Sequence, residues 1–251
     1  MSAAQKVMIV TGGSRGIGAA TALLAARSGY AVCINYAGNQ AAADSVVATI
    51  ASAGGKAIAV QGDVSRESDV MELFAANDAA FGRLDCLVNN AGLIGMQSRL
   101  EDIDHARFER ILAVNVLGPH MCSREAVKRM STARGGDGGA IVNVSSMAAR
   151  LGSPNEYVDY AASKGALDTM TIGLAKEVAT EGIRVNAVRP GLIYTDIHAA
   201  AGEPGRVDRL AAGVPLGRGG TAQEVAEAIL WLASEKSSYT TGSFIDVSGG
   251  R

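Results

Sequence analysis

The chain lacks several features that define specialised classes of protein. Only 4% of its 251 residues are aromatic, five are proline, and no apolar run reaches the ~20 residues of a membrane-spanning helix. The formal net charge is −2 and no block of Lys or Arg occurs, so neither nucleic acid nor a membrane is expected as a partner. The polar start, residues 1–6, does not match a secretory signal, which predicts a cytoplasmic location.

Cysteine and histidine are also scarce. The three cysteines, Cys33, Cys86 and Cys122, are an odd number, lie in apolar stretches and form no Cys-x-x-Cys pair, so we expect them to pack in the core. The three histidines are scattered without the spacing of metal ligands. No metal site is predicted.

What the chain does contain is an alternation of short β-rich runs with longer helical patterns. The predicted strands are 6–11, 31–35, 57–61, 86–89, 140–145, 184–188 and 244–247. The predicted helices include 19–28, 41–53, 67–81, 108–130, 158–181 and 222–233. This order predicts one α/β domain over residues 1–251, with a doubly wound parallel sheet of seven strands and helices on both faces.

A glycine-rich turn follows the first predicted strand. The segment Thr11-Gly12-Gly13-Ser14-Arg15-Gly16-Ile17-Gly18 separates that strand from an Ala-rich helix. Glycine permits positive φ angles and close backbone approach, so a diphosphate can lie against the free N–H groups of the helix N-terminus. The turn therefore predicts a dinucleotide site, although a glycine turn by itself can be only a tight connection.

Tyr160 and Lys164 lie four residues apart, which is about one turn of a helix. A free phenol has a pKa near ~10, and a nearby ammonium group favours the phenolate. The pair can therefore act as an acid and base, with Lys164 lowering the pKa of Tyr160. The pattern is weak alone, because a solvated Lys beside a half-buried Tyr is common on helices.

Several motifs, in their order along nearly the whole chain, together resemble the short-chain dehydrogenase/reductase family, which has a Rossmann-type fold. The matching segments are Thr11-Gly12-x-x-x-Gly16-x-Gly18, Gly62-Asp63-Val64, Asn89-Asn90-Ala91-Gly92, Asn115, Asn143-Val144-Ser145-Ser146, Tyr160-x-x-x-Lys164 and Arg189-Pro190-Gly191. The resemblance implies an oxidoreductase that transfers hydride between a nicotinamide cofactor and a carbonyl or secondary alcohol.

The resemblance also implies catalytic roles. Tyr160 would donate and accept the proton, Lys164 would bind the cofactor ribose and Ser146 would donate a hydrogen bond to the substrate carbonyl. Asn115 would kink its helix and hold a water behind Lys164, although an Asn can also simply satisfy backbone groups there. Fourteen positions separate Ser146 from Tyr160 where the family commonly has thirteen, which leaves Ser145 as an alternative.

Residues of the same motifs are expected to bind the cofactor. They are Gly12, Ser14, Arg15, Gly16, Ile17, Gly18, Asn35, Asp63, Val64, Asn90, Ala91, Gly92, Tyr160, Lys164, Pro190, Gly191, Ile193 and Thr195. NAD-selective sites place a carboxylate after the second strand, but no acid appears here before Asp44. Arg15 can pair with a 2′-phosphate and Asn35 can add a hydrogen bond, so NADP(H) is predicted over NAD(H).

The substrate pocket is expected in the loops at residues 93–98, 147–157 and 192–213, the last of which resembles a lid. These loops are mostly apolar and small, which favours a small or aliphatic ketone or a β-ketoacyl thioester. The chain looks most similar to β-ketoacyl-acyl-carrier-protein reductases and to sugar and alcohol dehydrogenases. A docking site for a carrier protein would need basic residues. The candidates, which can equally form a solvated helix face, are Arg99, Arg107, Arg110, Arg124 and Arg129.

Three further expectations concern the class of protein and its assembly. A catalytically silent NADP(H)-binding sensor is the alternative to an enzyme, and such sensors tend to lose the Tyr or the Lys that this chain keeps. A dehydratase or epimerase on the same scaffold is a third possibility. The family is usually tetrameric and residues 242–250 resemble its last strand and tail, so a homotetramer is predicted.

Overall fold

The computed structural model describes residues 5–251, in which strands and helices alternate. The strands are β1 (Val7–Val10), β2 (Ala31–Tyr36), β3 (Ala57–Gln61), β4 (Cys86–Asn89), β5 (Gly139–Val144), β6 (Ile183–Pro190), β7 (Ile193–Tyr194), β8 (Gly220–Thr221) and β9 (Phe244–Val247). The α-helices are α1 (Gly16–Arg27), α2 (Gln40–Ser52), α3 (Glu67–Phe81), α4 (His105–Leu112), α5 (Gly118–Met130), α6 (Ala148–Leu151), α7 (Val158–Glu177), α8 (Ile197–Ala200), α9 (Arg206–Leu210) and α10 (Ala222–Ala233).

Seven of the strands form one parallel sheet in the order β3-β2-β1-β4-β5-β6-β9. The order reverses between β1 and β4, so the loops that follow these two strands diverge and leave a crevice between them. This arrangement confirms the predicted doubly wound sheet of seven strands. The short parallel pair β7–β8 was not predicted, because two residues per strand carry no readable pattern.

Two apolar layers bury the sheet. On one face, Ala22 and Ala25 of α1 and Ile229 of α10 pack with alternate residues of the central strands. On the other face, Phe74 of α3 and Met130 of α5 lie in a second layer. Both faces of the central strands are therefore shielded from solvent, which explains their near-continuous runs of Val and Ile.

The predicted helix 108–130 is not continuous. It is divided into α4, a π-helical segment at Ala113–Leu117 and α5. The widened turn places the side chain of Asn115 against the loop after β4, where it bonds to the backbone of Leu93. The kink expected at Asn115 is thus present as a π-helical turn. In place of the predicted helix 158–181, α7 ends at Glu177 and is followed by a short 3₁₀ turn at Ala179–Glu181.

All three cysteines are buried and unpaired, as core packing requires. Burial raises the pKa of each thiol to about 12, so little reactive thiolate forms at neutral pH. Within residues 5–251, no helix combines the length and the apolar character needed to cross a bilayer.

A buried chain of polar side chains ties α5 and α7 to the middle of the sheet. The Asn89 side chain in β4 donates to Ser123 Oγ at 3.0 Å and to Asn143 Oδ1 at 2.8 Å. The Asn143 amide in β5 donates in turn to Thr171 Oγ1 at 2.8 Å. These bonds hold α7, which carries Tyr160 and Lys164, in register with β5.

Replacing Asn143 with Ala is expected to destabilise the fold by about 1–3 kcal/mol, because it removes one of the two acceptors of the buried Asn89 amide and the bond from Asn143 to Thr171. Thr169→Ala, at an exposed position of α7, is the matched control and is expected to change stability by less than ~0.5 kcal/mol. Urea unfolding followed by circular dichroism measures both. Equal losses of stability in the two variants would show that the buried side-chain hydrogen bonds do not hold α7.

Candidate active site

One large cavity opens at the carboxyl ends of the sheet strands. Its volume is about 750 Å³, and its walls come from the loops that follow β1, β2, β3, β4, β5 and β6. In doubly wound sheets this edge, at the reversal of strand order, is where ligands bind. The cavity brings together most of the residues singled out in the sequence.

The glycine turn between β1 and α1 forms one wall. Gly12 and Gly16 have φ angles of +61° and +52°, a region that favours glycine. A methyl group on Gly18 would lie 2.2 Å from the Gly12 carbonyl oxygen and 2.5 Å from Asn90 Nδ2. Gly18 is thus packed too tightly for a side chain, and the turn leads directly into a 12-residue helix.

Two asparagine side chains hold this turn in place by hydrogen bonds to its backbone. Asn90 Nδ2 donates to the Thr11 and Gly12 carbonyls at 2.9 and 3.0 Å. Asn35 accepts from the Gly12 N–H at 3.3 Å and donates to the Gly62 carbonyl at 2.8 Å. The Asn35 side chain, predicted to reach a phosphate, is only 3% exposed and uses its amide to shape the turn.

Arg15 lies at the N-cap of α1, is exposed, and lines the mouth of the cavity. The first turn of α1 contains no acidic residue. The adjoining wall after β2 is also without a carboxylate, since it consists of residues 35–39, Asn-Tyr-Ala-Gly-Asn. Among the lining residues of these two walls, Arg15 is therefore the charged one, and it favours an anion beside it.

Asp63 and Val64 line the same end of the cavity after β3. The Asp63 carboxylate forms an ion pair of 2.7 Å with Arg110 and accepts from Ser65 Oγ at 2.7 Å. Val64 is buried against Gly118, where a methyl group on the glycine would lie 2.8 Å from Val64 Cγ2. The pair is therefore held rigidly beside the crevice.

Lys164 is buried in the floor of the cavity, with 3% of its surface exposed. Its Nζ donates to the Val144 carbonyl at the end of β5 at 2.8 Å and lies 5.6 Å from the centre of the Tyr160 ring. Burial lowers the pKa of Lys164 to about 8, and the Asp168 carboxylate opposes this shift.

The pKa of Tyr160 is set mainly by burial and not by Lys164, which differs from the expectation drawn from the sequence. Tyr160 keeps some surface open to the cavity, yet burial raises its pKa to about 12, and only a hydrogen bond with Ser146 opposes the rise. The expected lowering by Lys164 is not found, because the ammonium group is itself desolvated and turned toward the Val144 carbonyl. The phenol is therefore protonated at neutral pH.

The structure separates the two neighbouring serines. Ser145 is 2% exposed and donates to Asp168 Oδ1 at 2.6 Å, so its hydroxyl is committed to the interior. Ser146 is less buried, lines the cavity beside Tyr160 and accepts from the Ala148 N–H at 3.1 Å. This geometry supports the interpretation of Ser146, rather than Ser145, as the substrate-facing serine.

Asn115 lies behind the cavity and is fully buried. Its Oδ1 accepts from the Leu93 N–H at 2.8 Å, and its Nδ2 donates to the Leu93 carbonyl at 2.9 Å and to Ser163 Oγ at 3.0 Å. A methyl group on Gly92 would lie 3.5 Å from Lys164 Nζ and 3.6 Å from Asn115 Oδ1. Asn115 thus braces the loop over Lys164, and the water relay stays a prediction.

The segment after β6 closes the cavity opposite the glycine turn. Pro190, Gly191, Ile193 and Thr195 all line it. A methyl group on Gly16 would approach Thr195 Cγ2 to 3.3 Å, which shows how closely this segment meets the glycine turn.

The predicted lid, residues 192–213, contains α8 and α9 and is anchored by a buried arginine. Arg206 is 6% exposed, pairs with Glu156 and with Glu203, and stacks over the Tyr157 ring at 5.1 Å. Tyr157 and Arg206 both lie in loops that the sequence predicts to line the pocket, but the contact between them was not predicted. No short-range pattern could reveal a contact between a lid and a loop about 50 residues earlier.

The five arginines considered for carrier docking are all paired with carboxylates. Each partner lies within 3.2 Å: Arg99 with Glu101, Arg107 with Asp159, Arg110 with Asp63, Arg124 with Glu67 and Glu125, and Arg129 with Asp78 and Glu125. Their charge is therefore largely neutralised within the chain.

Comparison with known proteins shows which family the chain resembles in sequence and fold. A family profile described as "Enoyl-(Acyl carrier protein) reductase" matches residues 12–251. The chain is 58% identical over 245 residues to an uncharacterized oxidoreductase of Escherichia coli K12, covering 98% of this chain and 99% of that protein. It is 38% identical over 250 residues to a 3-oxoacyl-(acyl-carrier-protein) reductase of Synechocystis sp., covering 98% and 96% respectively. A solved short-chain type dehydrogenase/reductase from Mycobacterium marinum superposes with a TM-score of 0.91 at 34% identity, over 98% of this chain and 94% of that chain.

Gly18→Ala is expected to weaken NADPH binding, because the added methyl group would displace the Gly12 carbonyl and the Asn90 amide. Overpacking of this kind costs about 1–3 kcal/mol, or roughly tenfold or more in Kd. Gly173→Ala is the control, since a methyl group there meets nothing within 4 Å. Calorimetric titration of both variants with NADPH would contradict the assignment if their affinities match.

Proposed function

The chain belongs to the short-chain dehydrogenase/reductase family of oxidoreductases, and on that basis we propose that it is an NADP(H)-dependent reductase of small carbonyl compounds. The observation that carries the proposal is the meeting of Tyr160, Ser146 and Lys164 in one cavity beside a glycine turn. A protonated phenol next to a polar hydroxyl and a buried cation is suited to protonating a carbonyl oxygen.

The residues present fit a nicotinamide dinucleotide. The positive φ angles of Gly12 and Gly16, and the absence of room for a side chain at Gly18, leave bare backbone at the start of α1. Free N–H groups and the helix dipole favour a diphosphate at such a place. When bound, the cofactor would supply or accept hydride through its nicotinamide ring. The glycine turn, Asp63, Val64, the 90–92 loop and the 190–195 segment would hold it.

Preference for NADP(H) over NAD(H) is supported by charge. Arg15 is exposed at the cavity mouth, and neither the end of β2 nor the first turn of α1 has a carboxylate. A guanidinium group binds a phosphate through two parallel hydrogen bonds. Asn35 contributes by shaping the turn, because its amide is already bonded to Gly12 and Gly62.

Tyr160 acts as the acid in carbonyl reduction. Since burial raises its pKa to about 12, the phenol holds its proton at neutral pH and can donate it to the oxygen as that atom gains charge. Ser146 hydrogen-bonds both this oxygen and Tyr160, which fixes the direction of proton transfer. Lys164, held by the Val144 carbonyl, supplies positive charge behind the phenol.

The substrate is proposed to be a small or aliphatic ketone, including a β-ketoacyl thioester. Support comes from the mostly apolar loops that line the cavity and from the likeness to a 3-oxoacyl-(acyl-carrier-protein) reductase. The ion pairs of the five arginines considered for carrier docking favour a free substrate over one delivered by an acidic carrier protein. We also propose a cytoplasmic homotetramer, in which the edge strand β9 lies at a subunit interface.

Tyr160→Phe tests the proposed chemistry. Loss of the phenol proton is expected to lower NADPH-dependent reduction of acetoacetyl-CoA or 2,3-butanedione by roughly 100-fold or more, with NADPH binding retained. Tyr239→Phe, which alters a fully exposed tyrosine, is the matched control. A Tyr160→Phe enzyme as fast as the wild type would contradict the proposal. A wild type that binds NADPH but reduces no carbonyl would instead favour the sensor.

Arg15→Gln tests cofactor choice. Removing the guanidinium is expected to weaken NADPH binding by roughly tenfold or more and to leave NADH binding nearly unchanged, because only NADPH carries the 2′-phosphate. Arg27→Gln, at the exposed far end of the same helix, is the control. Equal losses for both cofactors would show that Arg15 does not read the 2′-phosphate.

A further inference from the structure

Asp168 extends the row of functional groups on α7. Tyr160, Lys164 and Asp168 follow one another at intervals of four residues, so they lie along one face of the helix. The Asp168 residue is only 8% exposed. Because burying a carboxylate is costly unless it is paired, its partners need an explanation.

Those partners connect Asp168 to the active site on one side and to the sheet on the other. Ser145, next to Ser146, donates its hydroxyl to Asp168 Oδ1 at 2.6 Å. The guanidinium of Arg189 reaches Asp168 Oδ2 through Nε at 2.9 Å and Nη2 at 2.8 Å. Both carboxylate oxygens are therefore used, and each is bound to a residue next to a predicted site residue.

Arg189 is itself fixed from the far side. It lies opposite Asp246 in the β6–β9 register, with Nη1 3.6 Å from Asp246 Oδ1, and its guanidinium stacks at 3.8 Å over the Phe244 ring. Arg150 completes the row by pairing with Asp246 at 2.8 Å. Charges of alternating sign thus run from Lys164 through Asp168, Arg189 and Asp246 to Arg150.

We propose that Asp168 is a positioning residue for the reaction: with Arg189 fixing its carboxylate, it orients Ser145 at the end of β5 and places a negative charge one helical turn from Lys164. This inference rests on the proposed function for its catalytic meaning. The effect of the Asp168 charge on Lys164 does not depend on that function, because it can be measured in the folded chain without cofactor or substrate.

The sign of the effect follows from the charges. Burial lowers the pKa of Lys164 to about 8, and Asp168 is the charged group that opposes this. The other charged or titratable groups in the row are Tyr160 on the same helix, Arg189 on β6 and, beyond Arg189, Asp246 and Arg150. Neutralising Asp168 removes a negative charge near Lys164 and also leaves the positive charge of Arg189 unbalanced. Both effects lower the pKa of Lys164 further. Neutralising Arg189 raises it.

The test is an NMR titration of Lys164 in protein labelled with ¹³C at lysine Cε, without cofactor. Asp168→Asn is expected to lower the pKa of Lys164 by about one pH unit or more, the size of a close charge effect. Asp246→Asn is the matched control, because it removes a carboxylate from the far side of Arg189 and is expected to leave the titration nearly in place. If Asp168→Asn does not fold, Arg189→Gln carries the test with the opposite expected shift.

The pH dependence of kcat provides the second readout. In Asp168→Asn the fall of activity at alkaline pH is expected to move to lower pH with the Lys164 titration. Ser145→Ala keeps the charge and is expected to lower kcat without moving that limb. A Lys164 titration unchanged in Asp168→Asn would overturn the proposal. Failure of the wild type to reduce any carbonyl would instead overturn the proposed function and leave the titration result standing.

Discussion

The active site depends on keeping an ammonium group charged where little water reaches it. Lys164 lies beneath the cavity with 3% of its surface exposed, and its best hydrogen bond is to the Val144 carbonyl at the end of β5. Removing such a cation from water costs several kcal/mol unless neighbouring groups compensate. The backbone of β5 and the carboxylate of Asp168 provide that compensation. The close packing of Gly92, with Asn115 behind it, keeps the loop above Lys164 in place.

The same burial decides the chemistry that the phenol can perform. A desolvated Tyr160 keeps its proton at neutral pH and is therefore ready to act as an acid. The Ser146 hydroxyl, which accepts from the Ala148 N–H, opposes this effect through a hydrogen bond that stabilises the phenolate. Polar side chains within the sheet support this geometry, because Asn89 and Asn143 hold β4, β5 and α7 together and so keep α7 in register with β5.

Much of the fold was readable from the sequence because its signals are local. Alternating strand and helix patterns predict the seven-stranded sheet, and the glycine spacing predicts the turn before α1. Contacts between distant segments were not readable. The Asp168–Arg189 pair spans 21 residues and two elements, and the bond from Lys164 to Val144 depends on the depth at which α7 packs. For that reason the sequence could not reveal that burial, which raises the pKa of Tyr160, outweighs the nearby ammonium group. Asp168 itself had a signal, since it lies one further turn along the face that carries Tyr160 and Lys164.

The central claim is that this cavity reduces small carbonyl compounds with NADPH. The most direct measurement is the loss of NADPH absorbance, and separately of NADH absorbance, when the purified protein meets β-ketoacyl thioesters, small diketones, aldoses and aliphatic ketones. We expect steady turnover with at least one of the aliphatic carbonyl classes, and faster turnover with NADPH than with NADH. Tight NADPH binding without oxidation of either cofactor across all four groups would contradict it.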